Sequence, residues 1–293
     1  MMNFLGVGDN VCDVYLHEKT MYPGGQALNL SVYMRRLGAR SAYFGLFGND
    51  ELAAHVCAAL DAEGVDRSRC RTVQAPNGYA MVDLVGGDRH FVGSNKSGPA
   101  RTQRIVRAED MPLLAGFDLI HTSNNSHLDD CLRLLREGGA RLSYDFSLSW
   151  KDEKRFDAVC PQVDFAFFSC GDMPDEEAWA LAERAQALGC KTAVATLGSR
   201  GALCLRNGMR MRHALEPVQA VDTMGAGDSF AAAFLYSIVG AKKRGEEGEA
   251  ALRAAMEHGA RFAATTCLVR GAFGYGAPVS DEQITRMMQG IIR

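Results

Sequence analysis

A glycine–alanine–glycine turn with an aspartate behind it is where this sequence points most directly to chemistry. In Asp222-Thr223-Met224-Gly225-Ala226-Gly227-Asp228-Ser229-Phe230, two glycines flank an alanine, an acid follows, and Phe230, Phe234 and Ile238 recur at helical spacing. A small-residue turn entering a helix presents unpaired backbone N–H groups at the positive end of the helix dipole. Such a turn holds a phosphate or a developing negative charge. An aspartate would repel an anion that merely bound there. It fits a site where Asp228 takes a proton from a hydroxyl while the amides hold a transferring phosphoryl group. A plain helix start with an acid in its first turn produces the same nine letters.

Three further clusters follow predicted strands, at the strand C-terminal ends where open α/β sheets bind their ligands. Asp9-x-x-x-Asp13 comes after the apolar run Asn3–Gly8; its two carboxylates suit hydrogen bonds to a polyol, and equally a solvated turn. In Pro23-Gly24-Gly25-Gln26-Ala27-Leu28-Asn29, paired glycines let backbone approach a ligand, and Asn29 can donate to and accept from a sugar hydroxyl. The same residues also read as a helix entry, although Ala27, Leu28, Leu30 and Val32 around Asn29 are apolar. Ala195-Thr196-Leu197-Gly198-Ser199-Arg200-Gly201 follows the apolar strand Lys191–Thr196 and suits nucleotide phosphates, or a simple βα or ββ turn.

The elements that must position these residues alternate. Strands are expected at Asn3–Gly8, Ser41–Leu46, Phe117–His121, Arg141–Phe146, Asp164–Phe168 and Lys191–Thr196, with a turn over Gly8–Asp13. Helices are expected from Gln26 to Leu37 ending at Gly38, and from Asp50 to Glu63 closing on Gly64. Others are expected at Asp129–Glu137, Pro174–Leu188, Ala226–Ala241 and Glu246–Thr266. Strand–helix alternation implies a mostly parallel sheet covered on both faces. The stretches Ala80–Val85 and Asp88–Val92 around Gly86-Gly87 predict a β-hairpin instead. Its place in an alternating chain is a small accessory sheet or lid. The expected organisation is one domain over 1–293, with lid segments near 14–23 and 78–95.

Composition excludes several classes. The 293 residues are 47% hydrophobic and 23% charged, with a formal net charge of −3. No basic run extends beyond Lys242-Lys243-Arg244, which argues against a nucleic-acid partner. No apolar run approaches the ~18 residues of a membrane span, so no membrane partner is expected. The opening Met-Met-Asn leads into an apolar strand without a signal-peptide pattern. The nine cysteines are dispersed, without a Cys-x-x-Cys pair. They read as reduced thiols of a cytoplasmic protein. No metal spacing appears among the seven histidines either.

Taken together, the motifs are more specific. Gly24-Gly25-x-x-x-Asn29 with Arg36-Leu37-Gly38, then Gly45-x-x-Gly48-x-Asp50, then Asp222-Thr223-x-Gly225-Ala226-Gly227-Asp228-x-Phe230 resembles the PfkB/ribokinase family of carbohydrate kinases. The matches fall in the family's order and span nearly the whole chain. Within it, Gly8-Asp9-Asn10-x-x-Asp13-x-Tyr15 and Tyr144-Asp145-Phe146-Ser147-x-x-Trp150 resemble the branch acting on fructosyl amino acids (Amadori compounds). The resemblance implies a ribokinase-like, Rossmann-like α/β fold with a β-sheet lid, ATP as donor and Mg²⁺ as charge neutraliser. Carried over residue by residue, Asp228 is the general base, and the amides of Gly225, Ala226 and Gly227 form the anion hole. Asp9, Asp13, Gly24, Gly25 and Asn29 grip the sugar, while Thr196, Gly198 and Gly201, with Gly225 and Gly227, serve the nucleotide. Phosphorylation at the sugar 6-hydroxyl is likewise implied.

The family often carries Asn-x-x-Glu before the nucleotide loop, organising Mg²⁺ through water. Here Ser169-Cys170-Gly171-Asp172-Met173-Pro174-Asp175 stands in that region. Asp172 and Asp175 are candidate metal ligands, and Asp172 is equally a candidate cap for the helix at Pro174. Asp145, Asp83 and Arg89 are candidates for the charges of the amino-acid part, and Trp150 for stacking on its linker. A monovalent cation such as K⁺, common in relatives, would depend on loops near Asp222 and Gly271–Gly276. A homodimer through the lid is the expected assembly. A free-sugar kinase and a non-catalytic sugar or nucleotide sensor are the competing readings. The missing Gly-x-Gly-x-x-Gly after the first strand argues against a dinucleotide-dependent oxidoreductase.

Overall fold

The protein is described by a computed structural model at residues 1–85, 88–215 and 218–292; at 84, 85, 88 and 89 the description covers the backbone alone. From the N-terminus run β1 (Asn3–Gly8), β2 (Val11–Tyr15), β3 (Thr20–Gly24), α1 (Gln26–Arg36), β4 (Arg40–Phe47) and α2 (Glu51–Glu63). They are followed by β5 (Arg71–Thr72), β6 (Tyr79–Val85), β7 (Asp88–Ser94), α3 (Met111–Leu114), β8 (Leu119–Ser123) and α4 (Leu132–Glu137). Next come β9 (Arg141–Ser147), α5 (Glu153–Val159), β10 (Phe165–Ser169), α6 (Asp175–Ala187), β11 (Thr192–Thr196), β12 (Ala202–Arg206) and β13 (Met209–His213). The chain closes with α7 (Ala226–Lys243), α8 (Glu249–Thr266), β14 (Ala277–Pro278) and α9 (Asp281–Gln289).

One nine-stranded sheet has the order β13-β12-β11-β10-β9-β8-β1-β4-β5. From β11 to β5 its pairings are parallel, and β12 and β13 are added antiparallel. Parallel strands buried on both faces read as continuous apolar runs. Along β1, Phe4 enters one core while Leu5 and Val7 enter the other. The first core lies under α1, α2, α7 and α8, through Leu28, Val56, Phe234 and Met256. The second lies under α4, α5 and α6, through Leu132, Phe156 and Ala182. The α/β sheet expected from alternation is present, with helices on both faces.

A second sheet of five strands, β14-β3-β2-β6-β7, contains both segments expected to form an accessory sheet. The expected hairpin is β6 with β7, paired antiparallel. Its turn at Gly86-Gly87 lies outside the described residues, as does the side chain of Arg89. The expectation of a turn over Gly8–Asp13 is corrected: from Val11 the chain is extended as β2, between β3 and β6, which satisfy its backbone from both sides. The Ala195–Gly201 run resolves to a ββ connection. A single 3-10 turn at Gly198–Arg200 returns the chain as β12, antiparallel to β11. Among the described residues, no helix is long and apolar enough to cross a membrane.

Candidate active site

Helix α7 begins where its sequence demands glycine. Gly225 caps it at φ 73°, and a Cβ there would lie 2.4 Å from Tyr33 Oη and 2.8 Å from Ala272 Cβ. Asp222 braces the turn, its carboxylate accepting from Tyr15 Oη at 2.5 Å, Gly271 N–H at 2.9 Å and Met224 N–H at 3.0 Å. It thereby joins the two loops expected to matter for a monovalent cation. The Ala226 N–H turns back to the Thr223 carbonyl at 3.3 Å. Gly227, next along the first turn, is exposed.

Asp228 is the third residue of α7 and is half-buried. One oxygen accepts from Asn29 Nδ2 at 2.7 Å. Burial pushes its carboxyl well above the ordinary carboxylate range; Asp145 adds repulsion, the Asn29 bond opposes, and Asp9 and Asp13 add further repulsion. A carboxylate held this way accepts a proton more readily than an ordinary one.

Asn29 is buried on α1, and its Oδ1 has no hydrogen-bond partner. The helix that carries it starts at Gly25, at φ 114°, which offers no side-chain cap. Asp9 supplies one from a distance. Its Oδ2 accepts from Gln26 N–H at 2.8 Å, and its Oδ1 from Ala27 N–H at 3.3 Å and from Ser123 and Ser126 Oγ, both at 2.9 Å. Asp9 is therefore a hub that ties the end of β1 to α1 and to the end of β8. Asp13, buried on β2, lies beside Gly24, where a Cβ would stand 2.3 Å from its Oδ2.

These elements converge on a cavity of about 520 Å³, lined by Asp9, Asp13, Gly25, Asn29 and Asp228 among others. Asp145 joins through Gln26. Burial pushes its carboxyl up to about 6, hydrogen bonds from the Ser147 N–H and Gln26 oppose, and Asp9 adds repulsion. Gln26 accepts in turn from Asn125 Nδ2 at 2.8 Å. Asn124 and Arg155, not singled out from sequence, also line the cavity. Asn124 Oδ1 is buried and unpartnered. The polar run Asn124–His127 at the end of strand β8 was a usable signal for the first. Arg155 sits on the seven-residue helix α5, too short to show a helical period.

Other expected residues lie apart from that lining. Thr196 ends β11, its hydroxyl bonded to the Phe168 carbonyl at 3.3 Å, and Gly198 and Gly201 bound the 3-10 turn after it. Arg200 from that turn binds Asp175 at 2.6 Å and the Gly171 carbonyl at 3.2 Å, fastening the two loops together. Asp175 also receives Arg212 at 2.9 Å, so both its oxygens are spent on arginines and it does not fit a metal ligand. Asp172 is exposed and does not cap α6, whose N-cap is Pro174 with no side-chain bond. Among the described residues, no group of three or more His, Cys, Asp or Glu could hold a metal ion. Trp150 points its indole N–H at the Ser169 carbonyl, 2.9 Å away, and packs on the second core instead of the cavity. Asp83 pairs with His17 at 3.6 Å.

Comparison with known proteins identifies the family and the fold. The family model described as pfkB family carbohydrate kinase matches residues 1–274. A fructosamine kinase of Bacillus subtilis (strain 168) is 41% identical over 286 residues, covering 96% of each chain. A fructoselysine 6-kinase of Shigella flexneri is 32% identical over 274 residues, covering 93% of this chain and all of the relative. Among solved structures, an aminoimidazole riboside kinase from Salmonella enterica superposes with TM-score 0.75 at 19% identity, over 97% of this chain and 99% of its own. An Arabidopsis thaliana ribokinase does so with TM-score 0.76 at 18% identity, over 99% of each. The fold is ribokinase-like, and the chain belongs to the pfkB family of carbohydrate kinases.

Proposed function

We propose that this sugar kinase uses ATP to phosphorylate the 6-hydroxyl of fructoselysine or a related fructosyl amino acid, with Asp228 as general base. The observation that carries this is the meeting of Asp228 with Asp13 and Asn29, from three different elements, at one cavity. The names of the relatives, fructosamine kinase and fructoselysine 6-kinase, support the acceptor.

As the acceptor oxygen attacks the γ-phosphorus, its proton passes to Asp228 and the P–O bond to ADP breaks. The raised carboxyl of Asp228 suits it to that proton. The amides of the first turn and the α7 dipole face the developing charge. Gly225 shapes that turn, Gly227 is its exposed donor, and Ala226 shares its N–H with Thr223. Asp13 and the unspent Oδ1 of Asn29 are assigned to sugar hydroxyls. Asp9, with Gly24 and Gly25, holds the start of α1 and so places Asn29. Thr196, Gly198 and Gly201 are assigned to the nucleotide side. Mg²⁺ enters with ATP as the substrate; no protein ligand is proposed for it, since Asp175 is spent on arginines. Asp222 spends both oxygens on three protein donors, and no K⁺ ligand is proposed there. The small sheet is assigned as the lid, and its outer strand β7, with Phe91 60% exposed, as the edge for the expected homodimer.

Coupled ADP release with Mg-ATP, read as kcat/KM against fructoselysine, other fructosyl amino acids, fructose and ribose, tests the reading. A preference for a fructosyl amino acid is expected. A preference for free sugar would sink the acceptor assignment and leave the kinase standing. No turnover by protein that binds ATP would favour a sensor. Asp13→Ala is expected to raise the acceptor KM by about 10- to 100-fold, the worth of a charge-assisted hydrogen bond, while the ATP KM stays put. An unaltered acceptor KM would place Asp13 outside the binding site.

A further inference from the structure

We infer that Arg155 binds the carboxylate of the acceptor's amino-acid part, so that the enzyme reads both halves of a fructosyl amino acid; the inference rests on the acceptor proposed above. Arg155 is the third residue of α5, whose entry is capped by Asp152. Its Nε–H donates to Asp129 Oδ2 at 2.7 Å, and the other oxygen of Asp129 accepts from Tyr144 Oη at 2.6 Å. This clamp uses one of five guanidinium N–H donors and fixes the plane of the rest. Arg155 lines the cavity, its side chain 28% exposed, and among the described residues its Nη groups make no hydrogen bond.

A guanidinium stays charged at every working pH, and its rigid fork matches two coplanar oxygens. Sugar hydroxyls are neutral and need no such fork. The acceptor carries one planar anion, the α-carboxylate of the amino acid. Lys96 and His127 line the same cavity, but neither offers a planar pair of donors. The phosphates of ATP are the competing anion, and the kinetics separate the two.

The test compares fructosyl-lysine with fructosyl-cadaverine, which lacks only the carboxylate, in the intact enzyme and in R155M, R155K and D129N. The parent is expected to favour the carboxylate-bearing acceptor by about 10- to 100-fold in kcat/KM, the range of one charge-assisted contact. In R155M that ratio falls toward one, through the acceptor KM, with kcat for fructosyl-lysine changing far less. R155K retains the charge without the fork and should recover part of the ratio. D129N, which loosens the clamp, should lower it partway. An R155M that keeps the carboxylate preference, or loses equally on both acceptors, would overturn the inference. A rise in the ATP KM with the acceptor KM fixed would also overturn it, in favour of a nucleotide contact. Parent enzyme indifferent between fructosyl-lysine and fructose would instead overturn the acceptor reading on which the inference rests. Should R155M not fold, R155K and D129N read the same ratio.

Discussion

Asp228→Asn should cut turnover by about 10²- to 10⁴-fold or more, with the KM for ATP little changed. The amide keeps the shape of the carboxylate and can still accept from Asn29 Nδ2, 2.7 Å away in the parent, but it cannot take the proton. The same substitution should stabilise the fold. Burial and neighbouring carboxylates raise the Asp228 pKa in the folded chain above its unfolded value. The folded state therefore holds that proton more tightly, and stability falls as pH rises from the unfolded value through the folded one. Asparagine never ionises and escapes that cost. The variant should melt above the parent at pH 8, with the gap closing toward pH 4. The parent's kcat/KM should rise with pH as Asp228 loses its proton. Retained turnover in the variant would remove Asp228 from the role of base; equal melting at pH 8 would refute the strained carboxyl.

Asp9→Ala should have the largest effect on stability. Asp9 is 2% exposed and accepts from two backbone amides and two serine hydroxyls. Its loss uncaps α1 and strands buried donors, a cost of about 3 kcal/mol or more. For a chain of this size the melting temperature should drop by roughly 5–10 °C. Because α1 carries Asn29, the acceptor KM should rise as well. Asp13→Ala should differ, raising the KM with a much smaller thermal shift. Melting of Asp9→Ala at the parent's temperature would show that α1 does not depend on this cap.

Features governed by local chemistry are legible in the sequence. Asp50 and Gly64 bracket α2 as the sequence implied, one through a side-chain cap and the other at φ 69°. The buried parallel strands announced themselves as apolar runs, and the small-residue turn before α7 required its glycine. What stayed hidden depended on distant partners. Nothing near Val11–Asp13 signals a strand, because its pairing comes from β3 and β6. Asp9 reads in the sequence as a ligand for a polyol, and only the fold brings onto it the amides of Gln26 and Ala27 and the hydroxyls of Ser123 and Ser126, the serines more than a hundred residues away. Asp175 had the chemistry of a metal ligand, and only the fold brings Arg200 and Arg212 onto it. Arg155 escaped notice because its clamp, Asp129 and Tyr144, is assembled from separate elements.

The Asn29–Asp228 hydrogen bond spans 199 residues of sequence, and it joins two stretches with different tasks under the assignments above. Residues proposed to choose the acceptor, Asp13, Asn29 and Arg155, all precede position 156. The turn proposed to move the phosphoryl group begins at Asp222. Mutation can therefore rework the choice of acceptor in one part of the gene while the catalytic turn is inherited intact. The one condition on such a change is that an asparagine on the first helix still meets the aspartate of the seventh.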